Sequence, residues 1–130
     1  MDPINVLIVD DEEDFVEAVV ERLRLRGFVA EGATNGHDAL ELLVRRSFDV
    51  VLLDVKMPGL GGLEVIRTIK EKRPALQVVL LTGHGSTQDS EEGMKLGAFK
   101  YLMKPVNFDD LTNILRLASK MKQEEEGEGR

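Results

Sequence analysis

Three carboxylates, a hydroxyl and a lysine each stand where a run of largely apolar residues stops. Asp10 and Asp11 follow residues 6–9, Asp54 follows residues 50–53, Thr82 follows 78–81 and Lys104 follows 100–103. A lone carboxylate at the end of a buried segment is costly unless a cation or hydrogen-bond donors meet it. If these ends converge, three carboxylates repel one another and raise their own pKa values unless a cation sits among them. The set is oxygen-only, with no cysteine and no pair of histidines at ligand spacing. That suits a hard ion, Mg²⁺ foremost, which keeps several waters and shares its shell with a phosphate. Phosphoryl chemistry is the candidate.

The elements that must position these groups alternate along the chain. Residues 6–9, 50–53 and 78–81 are uninterrupted aliphatic runs, as expected of parallel strands covered on both faces. Residues 28–32 and 100–103 are weaker strand candidates. Between them, helical spacing joins Phe15, Val16, Val19, Val20 and Leu23, then Ala39, Leu40, Leu43 and Val44, then Leu63, Ile66 and Ile69, and finally Leu111, Ile114, Leu115 and Ala118. Gly27, after an Arg-rich helix end, suits a left-handed cap. Asn107 can cap the last helix, with Asp109 and Asp110 in its first turn and Val106 set to staple against Leu111. Residues 86–97 carry little apolar content beyond Met94 and Leu96 and hold Gly93 in their interior, which predicts a short, loosely held helix.

Five strands alternating with five helices predict an α/β fold with a doubly wound parallel sheet. In such sheets ligands bind beyond the carboxyl ends of the strands, where strand order reverses. The five chemistry-bearing positions lie at those ends.

Composition narrows the function classes. The chain has 130 residues, 42% of them hydrophobic, no cysteine and a net charge of −7. One domain over residues 1–122 is expected, followed by an acidic flexible tail or start of a linker at 123–130, which holds −3 of the net charge. Disulfides, thiolate nucleophiles and zinc–thiolate sites are excluded. Acidic charge disfavours direct nucleic-acid or membrane binding. No apolar run approaches a membrane span, and the first residues lack a basic signal-peptide region, so a soluble cytoplasmic protein is expected. His37 and His84 are expected as solvent-facing residues rather than ligands, and the methionines as fillers.

The motifs VLIVDDEED, VVLLDVKMPGLGGLEVI, VVLLTGHGS and GAFKYLMKPV, in this order and at comparable spacing from Asn5 to Lys120, resemble the receiver domain of bacterial two-component response regulators. LTGHGS in particular resembles receivers that precede enhancer-binding ATPase or helix-turn-helix output domains. The resemblance implies a flavodoxin-like fold with strand order 2-1-3-4-5. It implies Asp54 as phosphoacceptor, a carboxylate nucleophile taking a phosphoryl group from the phosphohistidine of a sensor histidine kinase or phosphotransfer protein. Asp11 becomes a direct Mg²⁺ ligand and Asp10 one acting largely through metal-bound water, with the Lys56 backbone carbonyl completing the protein's share. Lys104 would pair with Asp54 and then with the phosphoryl oxygens, its bond to Pro105 being cis. Thr82 would donate its hydroxyl to the phosphoryl group, and Tyr101 would turn inward on activation. That switch would act on the surface of the fourth helix, fifth strand and fifth helix, toward an output domain, a target protein or a phosphorylation-dependent homodimer.

Some positions depart from the family's commoner pattern or fall where it varies. Gly61 stands where an Asp is often found, which weakens a helix cap. Lys56 and His84 flank the expected site entrance and are expected to tune access of hydrolytic water. Other classes fit less well. A haloacid-dehalogenase-type phosphatase needs a second Asp two residues after its nucleophile, where this chain has Lys56. A dinucleotide or flavin module needs a glycine-rich phosphate loop after the first strand, where this chain has five acidic residues in a row. A phosphorylation-independent interaction module commonly lacks one of the key groups, and none is missing here.

Overall fold

A computed structural model describes residues 2–83 and 87–128. Its elements run β1 (Asn5–Val9), α1 (Glu13–Leu25), β2 (Val29–Ala33), α2 (Gly36–Arg45), β3 (Val50–Asp54), α3 (Gly62–Lys72), β4 (Gln77–Thr82), α4 (Thr87–Lys95), β5 (Lys100–Met103) and α5 (Phe108–Glu128). The strands form one parallel sheet in the order β2-β1-β3-β4-β5. This is the flavodoxin-like order that the resemblance implied.

The aliphatic runs explain the layering. Successive side chains of a strand point to opposite faces, so Val6, Ile8, Val50, Leu52, Val79 and Leu81 join one core with Val16, Val19 and Leu23 of α1 and Leu111, Leu115 and Ala118 of α5. The intervening Leu7, Val9, Val51, Leu53, Val78 and Leu80 join a second core with Ala39, Leu43, Val65, Ile66 and Ile69 of α2 and α3. β1, β3 and β4 are thus covered twice, whereas edge strand β2 mixes buried and exposed positions and edge strand β5 has no buried residue. That exposure is why their sequence signal is weaker.

Helix ends follow their local chemistry. Gly27 adopts a φ of 89° just past α1. Asn107 Oδ1 accepts from the Asp110 amide at 3.0 Å at the start of α5. Gly61 precedes α3 with no side chain to cap it. α5 differs from expectation in extent, since residues 123–128 continue the helix rather than leaving it as a tail. Lys122 holds it down, lying 3.8 Å from Asp49 and 3.0 Å from Glu126, while Gln77 Nε2 donates to Glu125 at 2.9 Å.

Candidate functional site

Strand order reverses between β1 and β3, and the two neighbouring strands deliver Asp10 and Asp54 to the same rim. Asp10 is fully buried and Asp54 nearly so, whereas Asp11 is exposed. One carboxylate oxygen from each of the three lies within 4.8 Å of the others. Asp10 Oδ1 accepts from the Glu12 amide at 2.9 Å, and Asp54 Oδ1 from the Lys56 amide at 3.1 Å. Each strand end is therefore turned by its own carboxylate bonding two residues ahead.

Lys104 enters from the loop after β5, beside a cis bond to Pro105. Its Nζ lies 2.6 Å from Asp10 Oδ2, 2.9 Å from Glu12 Oε1 and 3.8 Å from Asp54 Oδ2. The expectation that Lys104 pairs first with Asp54 thus meets a different arrangement. Asp10 Oδ2 is fully buried and takes no well-aligned hydrogen bond, so among the described residues the ammonium is its close partner. Burial pulls the Lys104 pKa down, but the Asp10 and Glu12 carboxylates outweigh it and hold the ammonium charged well above its ordinary range. Burial and the neighbouring Asp10 charge push Asp54 the other way, up to about 6, with Asp11 adding to them and Lys104 and the Lys56 amide opposing.

Thr82 closes β4, buried, and its hydroxyl donates over a long 3.4 Å to the Leu102 carbonyl of β5. Tyr101, the residue before Leu102, is 48% exposed, so its ring faces outward here. The Lys56 side chain is exposed in the loop after β3, and His37 is exposed in the first turn of α2. His84 lies outside the described residues.

Two groups at the site carry roles that the sequence did not suggest. Glu12 reads there as an acidic residue at a helix start and Phe15 as part of the apolar stripe of α1. In the fold Glu12 bonds Lys104, and the Phe15 ring centroid lies 4.6 Å from the ammonium. A carboxylate directly after the Asp10-Asp11 pair, on the rim where the lysine enters, is the signal that could have found Glu12.

Chemically, the trio fits a hard divalent cation: three carboxylates, one of them exposed for entry, and an inner oxygen lacking aligned donors. Among the described residues this is the one cluster of three or more acidic or histidine side chains with that geometry.

The model of the response regulator receiver domain family matches residues 6–116. An NtrX-like response regulator of Rickettsia bellii (strain RML369-C) is 36% identical over 129 residues, 95% of this chain and 27% of that protein. The transcriptional regulatory protein ZraR of Escherichia coli O157:H7 is 37% identical over 117 residues, 90% of this chain and 26% of that protein. The chain thus spans about a quarter of the length of these curated relatives. Among solved structures, a response regulator receiver domain protein from Clostridium thermocellum superposes with a TM-score of 0.88 at 34% identity, covering 92% of this chain and 97% of that one. NtrX from Brucella abortus superposes with a TM-score of 0.92 at 28% identity, covering 98% of this chain and 30% of that one.

Proposed function

The chain belongs to the response regulator receiver domain family of two-component signalling, and on that premise we propose that Asp54 is its phosphoacceptor. The observation that carries this reading is the meeting, at one rim of the sheet, of three carboxylate oxygens within 4.8 Å and the Lys104 ammonium. An oxygen of Asp54 forms the bond to phosphorus as the P–N bond of a partner's phosphohistidine breaks, its electron pair staying on the imidazole. Asp10, Asp11, Asp54 and the Lys56 carbonyl would hold Mg²⁺, which when bound neutralises charge on the phosphoryl oxygens. Lys104 supplies a compact positive charge to those oxygens, and Thr82 a hydroxyl donor.

The same groups give a switch. Thr82, drawn toward a phosphoryl group, gives up its long bond to Leu102 and opens space beside Tyr101. The face this reaches already carries exposed apolar side chains, Met94, Tyr101 and Met103, the last 55% exposed. Output is read from that face by an output domain, a protein partner or a second phosphorylated copy. Transcriptional control belongs to the same reading, since ZraR is a transcriptional regulator by name, and so does a cytoplasmic location, which goes with the receiver family.

Incubation with acetyl phosphate and Mg²⁺, followed by intact-protein mass, tests the proposal. One base-labile phosphoryl group is expected, absent from Asp54→Asn and from chelated samples. A phosphoryl group retained by Asp54→Asn would assign the nucleophile elsewhere.

A further inference from the structure

We propose that Glu12 is a positioning residue for Lys104, holding the ammonium outside the acidic trio and slowing its commitment to Asp54; this rests on the phosphoacceptor reading above. Glu12 sits at the N-cap of α1 yet its side chain caps nothing. Its backbone is pinned to the site, because its amide donates to Asp10 Oδ1 at 2.9 Å. Its carboxylate, 66% exposed, turns back to the Lys104 ammonium at 2.9 Å, and that lysine side chain is only 20% exposed. The Phe15 ring closes the α1 side of the same cradle, 4.6 Å from Nζ. A glutamate placed there only to favour a helix N-terminus would have no reason to fold back onto the site.

The arrangement ranks the lysine's partners. An ammonium is a point charge with three donors, and here two carboxylates lie within 3 Å of it while Asp54 waits at 3.8 Å. A third donor remains for a phosphoryl group on Asp54, but drawing the ammonium across that longer gap stretches the two shorter pairs. The Asp10 pair is buried and lies within the trio. The Glu12 pair lies outside the trio and is solvent-screened, so it is the one that yields, and its strength sets how readily Lys104 becomes available. Glu12 is not one of the three clustered carboxylates, so replacing it removes no carboxylate of that cluster.

Three variants separate this role from general electrostatics. Glu12→Gln removes the charge. Glu12→Asp keeps it but withdraws the carboxylate by one methylene. Glu13→Gln makes the same charge change one residue on, at an exposed position with no ion pair to Lys104. The rate of phosphorylation by acetyl phosphate with Mg²⁺, followed by intact mass, is expected to rise about two- to fivefold in both Glu12 variants, the factor an exposed ion pair commands. The rise should appear at saturating donor, leaving the donor concentration for half-maximal rate unchanged, and Glu13→Gln should match the wild type. Thermal unfolding without metal gives a second reading: Glu12→Gln should shift the midpoint of the wild type but not that of Lys104→Met. Wild-type rates in both Glu12 variants, an equal rise in Glu13→Gln, or the same midpoint shift in both backgrounds would overturn the proposal. A wild type that takes no phosphoryl group overturns the Asp54 reading itself, whereas a phosphorylated wild type with unresponsive Glu12 variants removes only the role of Glu12.

Discussion

Asp54 pays an electrostatic penalty in the folded state, and that penalty has a pH signature. Its side chain is 11% exposed, and burial together with Asp10 raises its pKa from 3.8 to about 6. The folded protein therefore holds a proton on Asp54 that the unfolded chain has already lost. Between pH 3.8 and about 6 the folded state binds more protons, so this group lowers stability as pH rises and its cost is fully present above pH 6. The sign is opposite to that of a salt-bridged carboxylate. At 1.36 kcal/mol per unit, the metal-free domain carries a cost of about 2–3 kcal/mol at neutral pH. Asp54→Asn is expected to be about 1–3 kcal/mol more stable than the wild type at pH 7.5 in chelator, and nearly equal to it at pH 4, by urea unfolding at both pH values. Equal stability at pH 7.5 would show that no such strain exists. At this scale the sequence revealed which residue types meet, since each ends an apolar run. It did not reveal that Asp10 takes the ammonium before Asp54 does, because that depends on which oxygen is left without donors once the strands are side by side.

Elements whose signal was their own periodicity were legible, and those shaped by a neighbour were not. The expected weakness of the fourth helix came from its composition, but the reason α4 packs where it does lies in β4. A Cβ added at Gly93 would collide with the Leu80 side chain, which is fully buried. The glycine lets the helix settle onto the sheet without a side chain between them. Alanine is better in a helix interior by about 1 kcal/mol, yet overpacking of a filled core costs about 1–3 kcal/mol. Gly93→Ala is thus expected to destabilise by about 1 kcal/mol net, and Leu80→Val to cost less in its presence than alone, in a double-mutant cycle of unfolding free energies. Stabilisation by Gly93→Ala would mean that α4 has room to move away at no cost. The cap of α5 supplies the complementary case. Asn107→Ala removes the acceptor for the Asp110 amide and should cost about 1 kcal/mol, whereas loss of under a few tenths would leave the cap without energetic weight.

Across the whole molecule, long-range contacts add what composition lacks. The run of glutamates after residue 122 reads as a flexible tail; residues 123–127 are exposed but helical, and Gln77 and Asp49 engage Glu125 and Lys122 of α5 at the opposite end of the sheet from the acidic trio. These contacts pair residues 48 and 73 positions apart, a separation that local pattern cannot show. The carboxylates that end separate apolar runs, by contrast, do meet in one cluster, and that cluster should tie global stability to a divalent ion. A cation that binds the folded trio and not the unfolded chain stabilises by mass action, about 2.7 kcal/mol at a hundredfold excess over its Kd. Mg²⁺ should therefore raise the unfolding midpoint of the wild type by several degrees in a domain of this size. Asp11 is exposed and its charge adds to the repulsion at Asp54, so Asp11→Asn should leave the metal-free midpoint unchanged or slightly raised. It should nonetheless abolish the Mg²⁺-dependent rise, because it removes the one carboxylate of the three that faces solvent. Sodium chloride at matched ionic strength should not reproduce the effect. A rise of equal size with sodium, or in Asp11→Asn, would attribute it to screening of the net negative charge rather than to occupancy of the site.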